Sequence, residues 1–266
     1  MAKTVGIVSL KGGVGKTSSV VELGTALSNI GKKVLMVDAN FSAPNLGLHL
    51  NIINPEKTLH DVMENVASVK DAIYVFNDQF HVLPSSTFHP SEIVPLKLRD
   101  KLKNVKKNYD VVLIDSSPSI NDETLATMLA SDELLVVTTP DYSTLSMTLK
   151  AVKDAKKRGV PISGLILNNV YKKDFELSLE NIEETTEVPV MAVIPHDINV
   201  PRAQSKFLPL MDFKPKSEVA DEFMRLASTL VGEKHTPKKM SVLLRSFNPP
   251  KQDINREVYY HRIFND

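Results

Sequence analysis

After an apolar run at residues 5–10, the chain reads Lys11-Gly12-Gly13-Val14-Gly15-Lys16-Thr17 and passes straight into a helical pattern at 16–30, closed by Gly31. No other segment restricts the fold as much. Glycines let the backbone turn with its N–H groups inward around a polyphosphate, and the N-terminus of the following helix adds partial positive charge. The general pattern G-x-x-x-x-G-K-[ST] asks for Gly at position 10, where this chain has Leu10, and leaves free the position held by Lys11. Lys16 is placed to reach the outer phosphates and the Thr17 hydroxyl to ligate Mg²⁺. Gly12, Gly13, Val14, Gly15 and Ser18 supply the rest of the cradle. Two lysines in one loop repel each other unless an anion lies between them or one points away.

Short β-branched runs alternate with amphipathic stretches along the whole chain, the pattern of a parallel sheet covered by helices. Strands are expected at residues 5–10, 33–38, 81–84, 110–115, 134–138, 162–168 and 190–194. Residues 111–114 and 134–137 are continuously apolar, which marks strands buried on both faces. A second helix at 143–158 ends before Gly159, and a final one opens at Pro215 as its first helical residue. In that helix Val219, Phe223, Leu226, Ala227 and Leu230 recur at helical spacing up to Gly232. The expected fold is one doubly wound α/β domain over residues 1–233, followed by a tail at 234–266.

Hydrophobic residues make up 42% of the 266, enough for a large core and too many for a disordered chain. The absence of cysteine excludes a disulfide scaffold, a thiolate metal site and a Cys nucleophile, and it suits a reducing compartment. The N-terminal residues do not read as a signal peptide and no window approaches bilayer-spanning length, so a cytoplasmic protein is expected. Basic and acidic residues balance at 32 each, but not evenly. Residues 234–266 carry seven Lys or Arg against three acids, so the tail is +4 and the body −4. An acidic body is not by itself a nucleic-acid surface, whereas a basic tail can meet an anionic partner.

With these motifs in order, the chain resembles the deviant Walker A ATPases of the MinD/ParA family, whose loop reads Lys-Gly-Gly-x-Gly-Lys-[Thr/Ser]; the resemblance spans nearly all of residues 3–233. Residues 111–115 end in Asp115, a carboxylate suited to a Mg²⁺-bound water, and Ser116-Ser117-Pro118 is similar to the family's second switch. Asp38 stands at the first switch. Thr58-Leu59-His60-Asp61-Val62, Ile194-Pro195-His196-Asp197 and Lys214-Pro215-Lys216-Ser217 look like MinD segments. By resemblance, Thr17, Asp38 and Asp115 form the metal site, and Asn168 with Pro195, His196 and Asp197 frames the adenine. Asn169 is either a second adenine contact or a buried Asn closing a strand.

The resemblance further implies an ATP-bound homodimer in which Lys11 crosses to the partner's nucleotide, with ATP, ADP and Mg²⁺ as ligands. One residue departs from it: the family's first switch reads Asp-x-Asp, and here it is Asp38-Ala39-Asn40. An amide orients water but takes no proton, so slow hydrolysis and a long-lived dimer are expected. Lys11, Lys16, Asp38 and Asn40 are the candidate catalytic residues.

In the tail, Met240, Leu243, Leu244 and Phe247 form one apolar stripe flanked by Lys238, Lys239 and Arg245. This is similar to the basic amphipathic helix with which MinD proteins end, and it implies a peripheral site at the inner face of the cell membrane through residues 238–247. Docking of the stripe on the chain's own domain is the other reading. Ile254, Val258, Tyr259, Tyr260, Ile263 and Phe264 exceed what an anchor needs and read as a partner or self-docking segment. Three functions follow: a MinD-type ATPase that positions the division site or a cargo through a partner protein, a ParA-like DNA-partitioning ATPase, or a nucleotide-dependent filament. An iron–sulfur reductase on this fold is disfavoured by the missing cysteines.

Overall fold

A computed structural model of the protein describes residues 2–89, 93–233 and 249–264. Eight strands form a single sheet: β1 (Lys3–Val8), β2 (Val34–Asp38), β3 (Tyr74–Asn77), β4 (Phe80–Leu83), β5 (Val111–Asp115), β6 (Glu133–Thr138), β7 (Ile162–Val170) and β8 (Val190–Pro195). Their order is β3-β4-β2-β5-β1-β6-β7-β8. All neighbours are parallel except β3, which runs antiparallel to β4 at the edge. The runs at 111–114 and 134–137 lie in interior strands, where each face of the pleat needs apolar cover. Val111 and Leu113 enter one core cluster while Val112 and Ile114 enter the opposite one.

Helices cover both faces, as the alternating pattern predicts. On one side lie α1 (Lys16–Asn29), α2 (Leu46–His49), α8 (Asn199–Gln204), α9 (Leu210–Phe213), α10 (Glu218–Leu230) and α11 (Lys251–Phe264). On the other lie α3 (Leu59–Met63), α4 (Leu98–Leu102), α5 (Asp122–Ala130), α6 (Tyr142–Lys157) and α7 (Leu179–Thr186). The chain leaves β1 toward β2 and returns through β5, then crosses to β6 on β1's other side. This reversal beside β1 opens a crevice at the carboxyl ends of the strands, where ligands of such sheets bind.

Three features differ from the sequence expectations. The edge strand β3 was not expected, because Tyr74-Val75-Phe76-Asn77 is mostly exposed and carries no buried-strand pattern. The final helix opens at Glu218 rather than Pro215: Ser217 is the N-cap and its Oγ accepts the Ala220 N–H at 3.1 Å. The segment after Pro250 folds back as α11 on the chain's own β8 and α10, so of the two readings of those residues self-docking holds. The stripe at 238–247 lies outside the described residues.

Candidate functional site

The loop between β1 and α1 is held by two left-handed glycines, Gly13 at φ +78° and Gly15 at φ +87°. Gly15 is required twice over. A Cβ there would lie 2.2 Å from Asn168 Nδ2, which donates to the Val14 carbonyl at 2.7 Å and pins the loop to β7. Gly15 is also the N-cap of α1, with no side chain to bond the first N–H groups, so they remain directed at the cradle. Around Gly12 and Gly13 a Cβ would meet nothing within 4 Å, leaving the backbone open to a ligand.

Strand register assembles the acidic side. Asp38 at the end of β2 and Asp115 at the end of β5 are direct partners in the ladder. Asp115 takes Lys16 Nζ on one oxygen and the Thr17 hydroxyl on the other, the latter at 2.6 Å. Asp38 accepts the N–H of Leu46 at 2.9 Å and of Asn40 at 3.2 Å. Burial and then the Asp115 carboxylate push Asp38 up to about 7, against those N–H bonds and the Lys16 charge. A divalent cation between the two carboxylates would relieve that repulsion.

Asn40 donates Nδ2 to the Ala43 carbonyl at 2.5 Å, and its Oδ1 is buried with no hydrogen-bond partner. Among the described residues no set of three or more His, Cys, Asp or Glu side chains could hold a metal. The donors Thr17, Asp38 and Asp115 nevertheless fit Mg²⁺, which takes one or two carboxylates and completes its shell with water and phosphate oxygens.

Lys11 points elsewhere. Its Nζ donates to Thr144 Oγ1 at 2.8 Å and lies 3.4 Å from Asp141 Oδ1. Asp141 is the N-cap of α6 and accepts the Thr144 N–H. Partial burial raises this carboxyl, but hydrogen bonds from Thr139 and Thr144 and the Lys11 charge hold it down at about 2. The two lysines of the loop are therefore separated, Lys16 buried at 7% side-chain exposure and Lys11 at 38%.

A second cavity adjoins the cradle and is lined by Asn168, Asn169, Pro195, His196 and Asp197, together with Ser18 and Glu22. Asn169 is exposed, with φ +58°, so it is not a buried strand-closing residue. His196 Nδ1 donates to Asn169 Oδ1 at 2.7 Å, and the Tyr171 ring stacks on His196 at 4.4 Å. Asp197 accepts from the Asn199 backbone and side chain, and Gln204 Nε2 donates to Ser18 Oγ at 2.7 Å. Sequence reasoning missed Gln204, Glu22 and His49 at these cavities and Asp141 and Thr144 beside Lys11. Asp141 alone left a trace, as a helix-capping residue three positions before Thr144.

This fold and this cradle define a P-loop nucleotide hydrolase. The family model described as AAA domain matches residues 2–162, and that of 4Fe-4S iron sulfur cluster binding proteins, NifH/frxC family, matches 93–245; without cysteine the chain has no thiolate for such a cluster. The chain is 36% identical over 239 residues to an uncharacterized ATP-binding protein of Methanocaldococcus jannaschii, covering 88% of this chain and 90% of that protein. Its structure is similar to the septum site-determining protein MinD of Pyrococcus horikoshii complexed with Mg-ADP, with TM-score 0.81, 34% identity and coverage of 86% and 96%. The cell division ATPase MinD of Pyrococcus furiosus gives TM-score 0.81, 36% identity and coverage of 86% and 98%. The chain belongs to the MinD/ParA family of P-loop ATPases.

Proposed function

We propose that this chain is an ATP-switched positioning ATPase of the MinD type, monomeric without ATP and dimeric with it, acting through a partner protein at a surface. The division of labour between its two loop lysines carries this reading. Lys16 is buried beside Thr17 and Asp115, where a β,γ-phosphate with Mg²⁺ would take over its partner. Among the described residues Lys11 is held by a half-exposed pair with Asp141 and a hydroxyl. Such pairs are worth about 0–1 kcal/mol, so the arm leaves readily for phosphates presented by a second copy. There its charge would stabilise the transferring phosphoryl group. Asn168, Asn169 and the turn from Pro195 to Asp197 would hold the base in the adjoining cavity. Asn40 Oδ1 would orient the attacking water without accepting its proton, so turnover is slow.

The test is to size the protein in ATP, in ADP and without nucleotide, and to measure turnover in the same samples. Dimer is expected in ATP only; Lys16→Ala should lose nucleotide binding, and Lys11→Ala should bind ATP yet stay monomeric. Asn40→Asp should exceed wild-type turnover. A monomer in saturating ATP, or a Lys11→Ala protein that dimerises like wild type, would refute the switch.

A further inference from the structure

We propose that His49 is a further catalytic residue, the acceptor of the proton released by the attacking water; this rests on the ATPase reading above. In hydrolysis the water oxygen bonds to the γ-phosphorus, and the bond from that phosphorus to the β,γ-bridging oxygen breaks with its electron pair leaving on ADP. One water proton must then go somewhere. The cavity over the cradle is lined by lysines, hydroxyls, the amides of Asn40 and Asn45, and one imidazole, His49. Ammonium groups have no lone pair to offer, and amides and hydroxyls are poor proton acceptors near neutrality. His49 is the one lining side chain among the described residues whose ordinary chemistry suits the task.

Its placement is built into the fold. Leu46 at the start of α2 donates to Asp38, and His49 at the end of α2 donates its N–H to the Asn45 carbonyl at 3.2 Å. This single turn therefore fixes the main chain of His49 relative to the first switch, and His49 lines the same cavity as Asn40. A neutral imidazole carries one acceptor nitrogen. Burial lowers its pKa from the usual imidazole range, against the Asp115 carboxylate and together with the Lys16 charge. Asn40 Oδ1 and His49 thus divide what one carboxylate does elsewhere: the amide holds the water and the imidazole takes its proton. The imidazolium afterwards returns the proton to solvent.

The experiment measures single-turnover hydrolysis of Mg-ATP and affinity for a fluorescent ADP analogue, in wild type, His49→Gln, His49→Asn, Asn40→Asp and the double variant Asn40→Asp/His49→Gln. Loss of a positioned base is expected to slow both His49 variants about 10²-fold, the low end of acid–base contributions, with ADP-analogue affinity unchanged. In the Asn40→Asp background, where a carboxylate again faces the water, His49→Gln should cost less than threefold. That non-additivity separates proton transfer from a structural role, which would cost the same in both backgrounds. His49 variants as fast as wild type, or equally impaired in both backgrounds, would overturn the proposal while leaving the ATPase reading intact. A wild-type protein that binds the analogue but never hydrolyses ATP would overturn both.

Discussion

Glu22 lies on α1, beyond Lys16, and its carboxylate faces the backbone of another helix rather than a cation. It accepts the N–H of Leu210 at 2.6 Å and of Met211 at 3.1 Å, at the start of α9. Burial pushes it up to about 7 from 4.5; those two bonds lower it and Asp212 raises it. A folded-state pKa above the unfolded one means the native protein holds the extra proton. The associated stability is complete below pH 4.5 and is lost as pH rises through about 7. At 1.36 kcal/mol per pKa unit the loss is about 3 kcal/mol. Urea titrations at pH 4.5 and 8 should therefore show wild type losing about 3 kcal/mol more than Glu22→Gln over that interval; parallel curves would disprove the assignment. Nothing in the spacing of residues 16–30 marks Glu22 as different from an exposed helix glutamate. Its burial follows from where α9 packs.

Helix α11 is legible as an apolar pattern but not as a docked element. In place it covers β8, the edge strand opposite β3, and blunts an edge open to strand pairing. Asn255 Nδ2 donates to the Val190 carbonyl at 2.7 Å, and Arg256 donates to the Met191 carbonyl at 2.8 Å and to Glu222 at 2.9 Å. Tyr259 donates to Glu133 at 2.9 Å beside Lys3, locking the helix to the amino ends of β1 and β6. Arg256 and Glu222 are 6% and 5% exposed. Removing one member leaves the other charge buried, which costs about 3–5 kcal/mol. Arg256→Ala should lower the unfolding free energy by that amount, whereas Val258→Ala, 63% exposed on the same helix, should stay within about 0.5 kcal/mol. Equal effects would show that the pair does not hold α11. The two β8 carbonyls, Glu222 on α10 and Glu133 on β6 all lie far in sequence from α11, so no reading of residues 251–264 alone finds them.

For the whole molecule, the described residues after the basic stripe, 249–264, dock on the domain through α11. Cutting the chain after residue 233 would therefore strip α11 from its buried site as well as remove the basic stripe. Charge reversal is the cleaner probe. If the stripe meets an anionic membrane, one copy binds weakly and two in an ATP dimer bind by avidity. The full chain should sediment with anionic vesicles in ATP and remain soluble in ADP, and Lys238→Glu/Lys239→Glu/Arg245→Glu should abolish sedimentation. Co-sedimentation with DNA but not vesicles would favour the partitioning reading, against which the −4 body weighs. No described helix is long and apolar enough to cross a membrane.

Seven strands, the cradle and the two carboxylates at strand ends were readable in one dimension, because β-branched apolar runs, glycine conformations and strand-to-loop motifs are local properties of the chain. Register then brought Asp38 beside Asp115, an encounter between residues 77 positions apart that local pattern does not encode. The destination of Lys11, the orphan oxygen of Asn40, the imidazole on the cradle wall and the burial of Glu22 and Arg256 all arise from packing between distant elements. Hydrogen-bond partners and desolvation belong to the assembled surfaces, so they existed only once helices from both ends of the chain had closed over the sheet.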